Sequence, residues 1–380
     1  MSVHVSAAIA GRVGRRPEGL VDLMAEVGER ALEEVGRRPI DLLIVGSMAA
    51  GPLGGVENLV PQLADRLNLE GASGVRVDAA SASGAAAFHT AARELASGRA
   101  ERALVLAGEK MTARSTAEVT AVLARSLAPS EQSAGATMPA LAALVAQRYQ
   151  HRFALEPAAF DAVTVQFRRS AQGNPNAQFP TPVSPEEVRA SRTIAAPLRL
   201  LHCSAISDGA AAVILERGSG PASVLGLGQG LDALALTDRG EVTSFKATRT
   251  AAQRAYEQAR LTRKEVEFAE VHDAFAPFAL VNLEDLGFCG AGEAARWFLD
   301  GWTAPGGRFP VNPSGGLLGR GHPVGASGLL QIAEVARQLR GESGALALPQ
   351  PPAVGLAQSI GGLGAHVFVS ILGPARTEAG

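Results

Sequence analysis

Short, strongly apolar runs alternate with alanine-rich helical stretches along most of this chain, and this alternation limits the folds that it can adopt. The apolar runs cover residues 41–47, 75–80, 102–107, 211–215 and 222–227. One of them, RALVLAG, is apolar almost throughout, as expected for a strand that is buried on both faces of a sheet. Helices that cover both faces of such a sheet complete a layered structure. The sequence therefore predicts an α/β fold with a layered core.

The middle of the chain differs in composition from the parts on either side. Between about residues 111 and 200, weakly apolar helical runs alternate with stretches rich in Pro, Asn and Gln, such as GNPNAQFPTPVSPEE. After this region the strand and helix patterns resume. We therefore predict two similar halves, residues 1–115 and 206–380, which flank an inserted domain of residues 116–205.

Composition argues against several classes of protein. The 380 residues carry a formal net charge of -2 with acidic and basic residues interspersed, so nucleic acid is a poor candidate partner. The apolar N-terminal stretch is too short and too interrupted for a signal peptide, and no run reaches membrane-spanning length. We expect a cytoplasmic protein that contacts no membrane. Because Cys203 and Cys289 lack metal-ligand spacing, we expect no metal site and no disulfide framework, and ordinary thiols are the simplest interpretation.

Ser81 lies where a predicted strand gives way to a predicted helix, in the segment VRVDAASASGAAAF. A side chain just before a helix N-terminus faces unpaired backbone N–H groups and the positive end of the helix dipole, which stabilise developing negative charge. An acyl-transfer nucleophile would benefit from that position. The alternative is that Ser81 or Ser83 is an ordinary N-cap, and this segment alone favours the alternative.

Three further turns bring polar groups to the ends of strands or helices. Residues 312–328, NPSGGLLGRGHPVGASG, put six glycines and two prolines around His322 just before an apolar helix. Ordering such a loop costs much conformational entropy, so we expect its backbone to approach a ligand closely. A strand ends at His272, and Ser359 precedes a glycine cluster that includes Gly361 and Gly362. These turns and the Ser81 turn are candidates for one shared site.

Six short motifs resemble those of the thiolase superfamily and occur in the same order. GHPVGASG resembles the signature GHPxGxTG, and EVHDAF resembles the HDxF variant of the sterol-carrier-protein-type and archaeal thiolases. GEKMT, NPNAQF, SDGAAAVIL and NPSGGLLGRGHP resemble the other four motifs. The resemblance spans roughly residues 3–372. It implies a five-layered αβαβα fold, built from two similar βαβαβαββ halves with an inserted loop domain.

The resemblance also implies an acetyl-CoA acetyltransferase-like activity on acyl-CoA or 3-ketoacyl-CoA thioesters. Coenzyme A would be a substrate, and no cofactor would be bound permanently. His322 would activate the side chain at position 81, and His322 with His272 would polarise a thioester oxygen. The backbone N–H groups of Ser81 and Gly361 would form a second oxyanion hole, with Gly362 beside it.

Two features depart from the thiolase pattern. Ser81 stands where the family has its nucleophilic cysteine. A thiol beside a helix terminus and a histidine ionises readily, whereas a serine hydroxyl stays protonated and needs a general base. The family's second thiol is absent as well, since Ser359 and Ala274 occupy the two positions where it is found. Condensation by the two-cysteine route is therefore not expected.

Three interpretations follow from these residues. In the first, an acyl-CoA acyltransferase uses Ser81 and His322 as a dyad and forms an oxygen ester. In the second, a lyase polarises a CoA ester without covalent attachment and breaks a carbon–carbon bond by a retro-aldol reaction. In the third, the chain is a non-catalytic CoA-binding subunit of an acyltransferase complex, which the intact His322 and His272 argue against. A fourth is that Ser81 is an engineered replacement.

The resemblance implies partners as well as a substrate. Thiolases are dimers or tetramers, and we expect a homodimer in which the strand that begins near Arg102 and ends at GEKMT pairs across the two-fold axis. With the lyase interpretation, we expect a small partner protein that carries a zinc ribbon and an OB fold. A role in lipid metabolism is implied for either activity.

Overall fold

The computed structural model describes residues 2–375. The strands are β1 (Val3–Ala10), β2 (Leu42–Gly46), β3 (Ser73–Val77), β4 (Arg102–Glu109), β5 (Thr193–Ala195), β6 (Leu198–Arg199), β7 (Gly209–Arg217), β8 (Ser223–Leu231), β9 (Phe268–Glu270), β10 (Gly355–Gly361) and β11 (His366–Gly373). The helices are α1 (Leu20–Glu34), α2 (Leu59–Arg66), α3 (Ser83–Ala96), α4 (Thr116–Ala124), α5 (Pro129–Ser133), α6 (Met138–Phe153), α7 (Ala158–Ala171), α8 (Pro185–Ala190), α9 (Lys246–Ala259), α10 (Ala276–Asp285), α11 (Ala294–Leu299), α12 (Gly316–Gly319) and α13 (Ser327–Arg340). Within the described range, no helix is both long enough and apolar enough to cross a membrane.

Nine of these strands form one sheet, in the order β3-β2-β4-β7-β1-β8-β11-β10-β9. β2 runs parallel to β3 and β4, and β10 runs parallel to β9, whereas the other neighbours are antiparallel. β1 and β8 pair through His4 and Ser223, at one end of both strands. This narrow junction divides the sheet into two parts, β3-β2-β4-β7-β1 and β8-β11-β10-β9.

Helices lie outside and between the two parts of the sheet. α1 and α2 pack on the outer face of the first part, where Leu23, Leu63 and Leu106 share one core. α3 and α13 lie between the two parts, and Phe88 and Ile332 belong to a core that includes strands of both. α9 and α10 cover the outer face of the second part. The chain thus forms five layers of helix and sheet, and the layered α/β fold predicted from the sequence is confirmed.

The strand order mixes the two predicted halves at one point. β7 follows the inserted region in the chain and belongs to the predicted range 206–380, yet it lies between β4 and β1. It runs antiparallel to both, over almost its whole length. After the inserted region, the chain therefore adds β7 to the first part of the sheet, and only then do β8 to β11 form the second part. The domain boundaries remain predictions, and their outermost residues, Met1 and 376–380, lie outside the described part of the chain.

β4 cannot pair with a second molecule. It is flanked by β2 and β7, so its backbone N–H and C=O groups are engaged within the sheet. The expectation that this strand pairs across a two-fold axis is therefore wrong. β3 lies at the end of the sheet with β2 as its neighbour, and its Val75 side chain is 47% exposed.

Glycines in β8 let α9 pack directly on the backbone of the strand. Gly226, Gly228 and Gly230 all face the helix. At the middle position, an added Cβ would lie 1.7 Å from the carbonyl oxygen of Ala251, far closer than atoms can approach. Because this oxygen belongs to the helix backbone, the helix would have to move to make room.

We expect Gly228→Ala to lower the free energy of unfolding by about 1–3 kcal/mol, because the added methyl group overpacks this interface. The shift in the urea midpoint, followed by circular dichroism, measures the effect. Gly240→Ala is the matched control, since an added Cβ there has no atom within 4 Å. Equal midpoint shifts in the two variants would contradict the explanation by packing.

Candidate active site

The turn that carries Ser81 connects β3 to α3 and is held by the neighbouring Ser83. The Ser83 hydroxyl donates to the carbonyl oxygen of Ala80 at 2.6 Å and accepts from the backbone N–H of Ala79 at 3.0 Å. Ala80 has a φ of 52°, in the left-handed region that a non-glycine residue adopts at a cost of about 1–2 kcal/mol. This backbone conformation leaves Ser81 on the wall of a cavity.

Ser81 is not the N-cap of α3. Ala82 occupies that position, and α3 begins at Ser83. Within residues 2–375, the Ser81 hydroxyl makes no hydrogen bond, so it is free to meet a ligand. The alternative that Ser81 is an ordinary cap is therefore wrong, while Ser83 does have a structural role in the turn.

His322 and His272 lie side by side at the same cavity. Their rings are perpendicular, with centroids 5.2 Å apart. His322 follows α12, and its Nδ1 lies 2.7 Å from the hydroxyl oxygen of Ser327. His272 follows β9, where its backbone N–H donates to Gln358 at 2.9 Å and its carbonyl oxygen accepts from Asn282 at 2.8 Å. The His322 ring is thus held by a contact outside the cavity, whereas the contacts of His272 hold its backbone, and its Nδ1 has no hydrogen-bond partner within residues 2–375.

Burial keeps both imidazoles neutral. It lowers the pKa of His322 to about 3, and the nearby positive charge of Arg320 acts in the same direction. The pKa of His272 is also lowered well below its usual value, first by burial and then by electrostatic interaction with the neighbouring His322 and Arg320. A neutral imidazole has one N–H donor and one acceptor nitrogen, so each ring can polarise a carbonyl oxygen or receive a proton.

A buried carboxylate connects the His322 loop to the end of β2. Glu109 accepts hydrogen bonds from the backbone N–H groups of Met48 at 2.9 Å, Ala49 at 3.1 Å and Gly325 at 3.1 Å. Its pKa is raised to about 7, because burial outweighs these donors. Met48 lines the cavity, so Glu109 positions both a wall residue and the loop that carries His322.

The cavity has a volume of about 470 Å³, and its wall is mostly apolar. Ser81, His272 and His322 supply polar groups on this wall, and Arg192 is the charged side chain along it. Volumes of this order suit a ligand of drug or cofactor size. The residues of the wall are Met48, Ser81, Met111, Thr116, Val119, Thr120, Leu123, Ser126, Met138, Pro139, Arg192, Ile194, Leu200, Cys203, Ser204, Ala205, Ile206, His272, Ala274, Phe275, Phe278, His322, Val324 and Gly362.

A second cavity, of about 420 Å³, adjoins the first. Met48, Ser126 and Gly362 line both, so the two spaces meet beside the Ser81 turn. Gly361 lines the second cavity. Its Cα lies close to the Ser81 turn, because a Cβ added at Gly361 would be 2.3 Å from the carbonyl oxygen of Ala79. A ligand with two arms can therefore extend in both directions from Ser81.

Ser359 does not join the other predicted site residues. It lies on β10, where its side chain is 2% exposed and lines neither cavity. Its hydroxyl has no hydrogen-bond partner in the described chain and faces Gly328 at the start of α13. The structure therefore brings together Ser81, His272, His322 and Gly362, with Gly361 in the adjoining cavity and Ser359 behind the wall.

Cys203 is a cavity residue that the sequence analysis treated as an ordinary thiol. Its backbone pairs with that of Phe275, which puts it beside the HDAF segment. The thiol donates to the carbonyl oxygen of Arg199 at 3.4 Å, and burial raises its pKa to about 12. It therefore stays protonated and does not replace a thiolate nucleophile. No local signal marks it, because its position depends on pairing between distant segments.

Comparison with known proteins supplies the family. A model of the thiolase N-terminal domain matches residues 11–219, and a thiolase C-terminal domain-like model matches residues 228–374. The chain belongs to the thiolase family. The five-layered thiolase fold predicted from the motifs is thereby confirmed. Within residues 2–375 of this thiolase-family protein, no three His, Cys, Asp or Glu side chains are grouped to hold a metal ion.

Similar thiolase-family proteins include both acyltransferases and lyases. An acetyl-CoA acetyltransferase of Methanothermobacter thermautotrophicus is 39% identical over 360 residues, which cover 92% of this chain and 93% of that protein. The 17-hydroxy-3-oxo-4-pregnene-20-carboxyl-CoA lyase of Mycobacterium tuberculosis is 37% identical over 219 residues, which cover 54% of this chain and 56% of that protein. The solved structure of the Ltp2-ChsH2(DUF35) aldolase matches with a TM-score of 0.85 and 26% identity, over 99% of this chain and 98% of that one.

The lowered pKa of His322 predicts how the stability of the protein changes with pH. Because its folded-state pKa lies below the unfolded value of about 6.5, neutral His322 contributes stability that is present above pH 6.5 and is lost as pH falls towards 3. We therefore expect His322→Gln to lose less stability than the unchanged protein between pH 7 and about pH 4.5. Urea midpoints at the two pH values measure the difference.

His151→Gln is the control for this measurement, because His151 is exposed near the end of α6. The control should follow the unchanged protein at both pH values. If the His322 variant also follows it, the imidazole is not buried in its neutral form.

Proposed function

We propose that this thiolase-family protein is a lyase that breaks a carbon–carbon bond in a CoA thioester without covalent attachment of the acyl group. The observation that carries the proposal is the pair of neutral imidazoles, His272 and His322, on a cavity wall that has no ionisable thiol. Positions 81, 274 and 359 hold Ser81, Ala274 and Ser359, so none of them supplies one.

The reaction that fits these groups is a retro-aldol cleavage of a 3-hydroxyacyl-CoA. The proton of the 3-hydroxyl group passes to His322, the bond between C2 and C3 breaks, and C3 leaves as an aldehyde or ketone. The electron pair of that bond forms a thioester enolate, whose oxygen accepts a hydrogen bond from His272. The enolate carbon then takes a proton from His322, which restores the neutral ring and leaves a shorter acyl-CoA.

Burial of His322 does not prevent this proton transfer. The low pKa applies to the empty cavity, where a positive ring has no counter-charge. Negative charge that develops on the thioester oxygen a few ångströms away stabilises the protonated ring and raises its proton affinity. The ring is therefore neutral when the substrate binds and becomes a stronger base as the bond breaks.

Acyl transfer through Ser81 is the second candidate, and the Ser81 turn favours it. The hydroxyl is free, stands before the N-terminus of α3, and lies on the same cavity wall as His322. The 39% identical acetyl-CoA acetyltransferase covers most of the chain. Against it, no hydrogen bond joins Ser81 to His322 in the described residues, so the serine has no general base in contact.

Partners of this protein also belong to the proposal. We propose a cytoplasmic homodimer that forms through the free edge of β3, because the first three residues of that strand are exposed and its outer edge has no partner in the described chain. The similar aldolase is named for two components, Ltp2 and ChsH2(DUF35). A small partner protein that helps to hold CoA is therefore part of the proposed lyase.

The two activities are separated by substitutions at Ser81 and at the histidines. With branched 3-hydroxyacyl-CoA substrates, we expect Ser81→Ala to change kcat/KM less than about tenfold, and His322→Ala and His272→Ala to lower it about 100-fold or more. Chromatography with mass spectrometry detects the shortened acyl-CoA and the released carbonyl compound. Intact-protein mass should show no acyl adduct.

Ser97→Ala, at the opposite end of α3, is the matched control for removal of a serine hydroxyl. A Ser81-dependent adduct, together with transfer of the acyl group to free CoA, would establish the acyltransferase and overturn the lyase. CoA ester binding with neither adduct nor cleavage, over short, long and branched acyl groups, would identify a non-catalytic subunit.

The dimer proposal has its own test. We expect Val75→Asp to convert the dimer to monomer, because a charge buried at the β3 edge has no partner there. Light scattering coupled to gel filtration measures the mass. Leu144→Asp is the control, since Leu144 is an exposed apolar residue on α6, 52% accessible and away from the sheet. A dimer that survives the Val75 substitution uses another surface.

A further inference from the structure

A third cavity lies away from the candidate active site. Its volume is about 640 Å³, and none of its wall residues lines either of the other two cavities. Glu267, on its wall, precedes β9, whereas His272 follows that strand. At about 3.3 Å per residue, the five steps along the chain from Glu267 to His272 span about 16 Å. The third cavity therefore lies at the opposite end of β9 from the histidine pair.

Three basic side chains and a single acidic one line this cavity. Arg263, Lys264 and Arg308 form no ion pair with any residue of the range 2–375. The acidic residue on the wall is Glu267, whose carboxylate already accepts from the backbone N–H of Ala353 at 2.7 Å. Like charges that share one cavity repel each other, and a bound anion relieves that repulsion.

Aromatic rings form another part of the wall. Phe288 and Phe309 lie 4.3 Å apart between centroids, and Trp297 lies 6.1 Å from Phe309. The guanidinium group of Arg308 is held 5.1 Å above the ring of Trp302, so its direction is set before a ligand binds. Planar groups stack favourably on such rings.

The wall is also rigid. Prolines from two separate segments, residues 305–310 and 348–352, supply part of it. At Gly307 an added Cβ would lie 2.4 Å from the carbonyl oxygen of Trp302, so the first segment is a tight turn that packs on its own backbone. A cavity with fixed walls loses little conformational entropy when it is filled, which favours binding of a small molecule.

We propose that this third cavity binds a nucleotide, with the base stacked on the aromatic rings and the phosphates beside Arg263, Lys264 and Arg308. A simple anion would leave the rings uncovered, and an apolar ligand would leave the three charges unpaired. A nucleoside phosphate satisfies both parts of the wall. This site is independent of the chemistry proposed for the histidine pair, and it holds whichever of the two activities is correct.

The two tryptophans of the chain report on this cavity directly. Trp297 lines it and Trp302 lies under Arg308, and the sequence contains no other tryptophan. We expect ADP to quench the fluorescence excited at 295 nm in a saturable way, with a dissociation constant below about 1 mM. Arg263→Gln combined with Lys264→Gln should weaken ADP binding at least about tenfold, because two phosphate contacts are lost.

Arg66→Gln combined with Arg15→Gln is the matched control, since it removes two positive charges on other parts of the chain and should leave ADP binding unchanged. Adenosine and inorganic pyrophosphate are the other two probes. The proposal is overturned if ADP gives no saturable quenching, if either probe binds as tightly as ADP, or if the control weakens binding as much as the cavity variant does. The readout requires no catalysis, so its failure leaves the proposed lyase untouched.

Discussion

The candidate active site depends on a close contact between the N-terminal ends of α3 and α13. An added Cβ at Gly84 would lie 2.8 Å from the backbone nitrogen of Leu329, so a larger residue would push the two helices apart. Ser81 precedes one helix and His322 precedes the other. Because the helices meet at their ends, two residues that are far apart in the chain reach the same cavity, and β9 adds His272 from the side.

Much of this arrangement could be predicted from local sequence, because strands, helix starts and glycine-rich turns each have a local pattern. Strand order could not, since the place of β7 between β4 and β1 depends on pairing between distant segments. The orientation of Ser359 could not either, because successive side chains of a strand point to opposite faces. Cys203 reaches the cavity only because its backbone pairs with Phe275.

The charge state of the cavity also follows from burial and is invisible in the sequence. A histidine in water is partly protonated near neutral pH, but loss of hydration lowers the pKa of His322 to about 3. A thiolate would have offered these rings a negative partner, and Ser81 offers none. With a serine at position 81, the first negative charge that the two rings meet in the proposed lyase reaction is the one that forms on the bound substrate.

Absence of fixed negative charge makes the donors in this cavity more effective. None of the residues that line its wall is an aspartate or a glutamate. In the proposed lyase reaction, the enolate oxygen is attracted by the imidazole N–H groups without repulsion from a carboxylate or thiolate on the wall. Because the wall is mostly apolar, these attractions are screened less than they are in water. A serine at position 81 is thus a weak nucleophile for covalent acyl transfer, while a wall without fixed negative charge favours the enolate on which the proposed retro-aldol reaction depends.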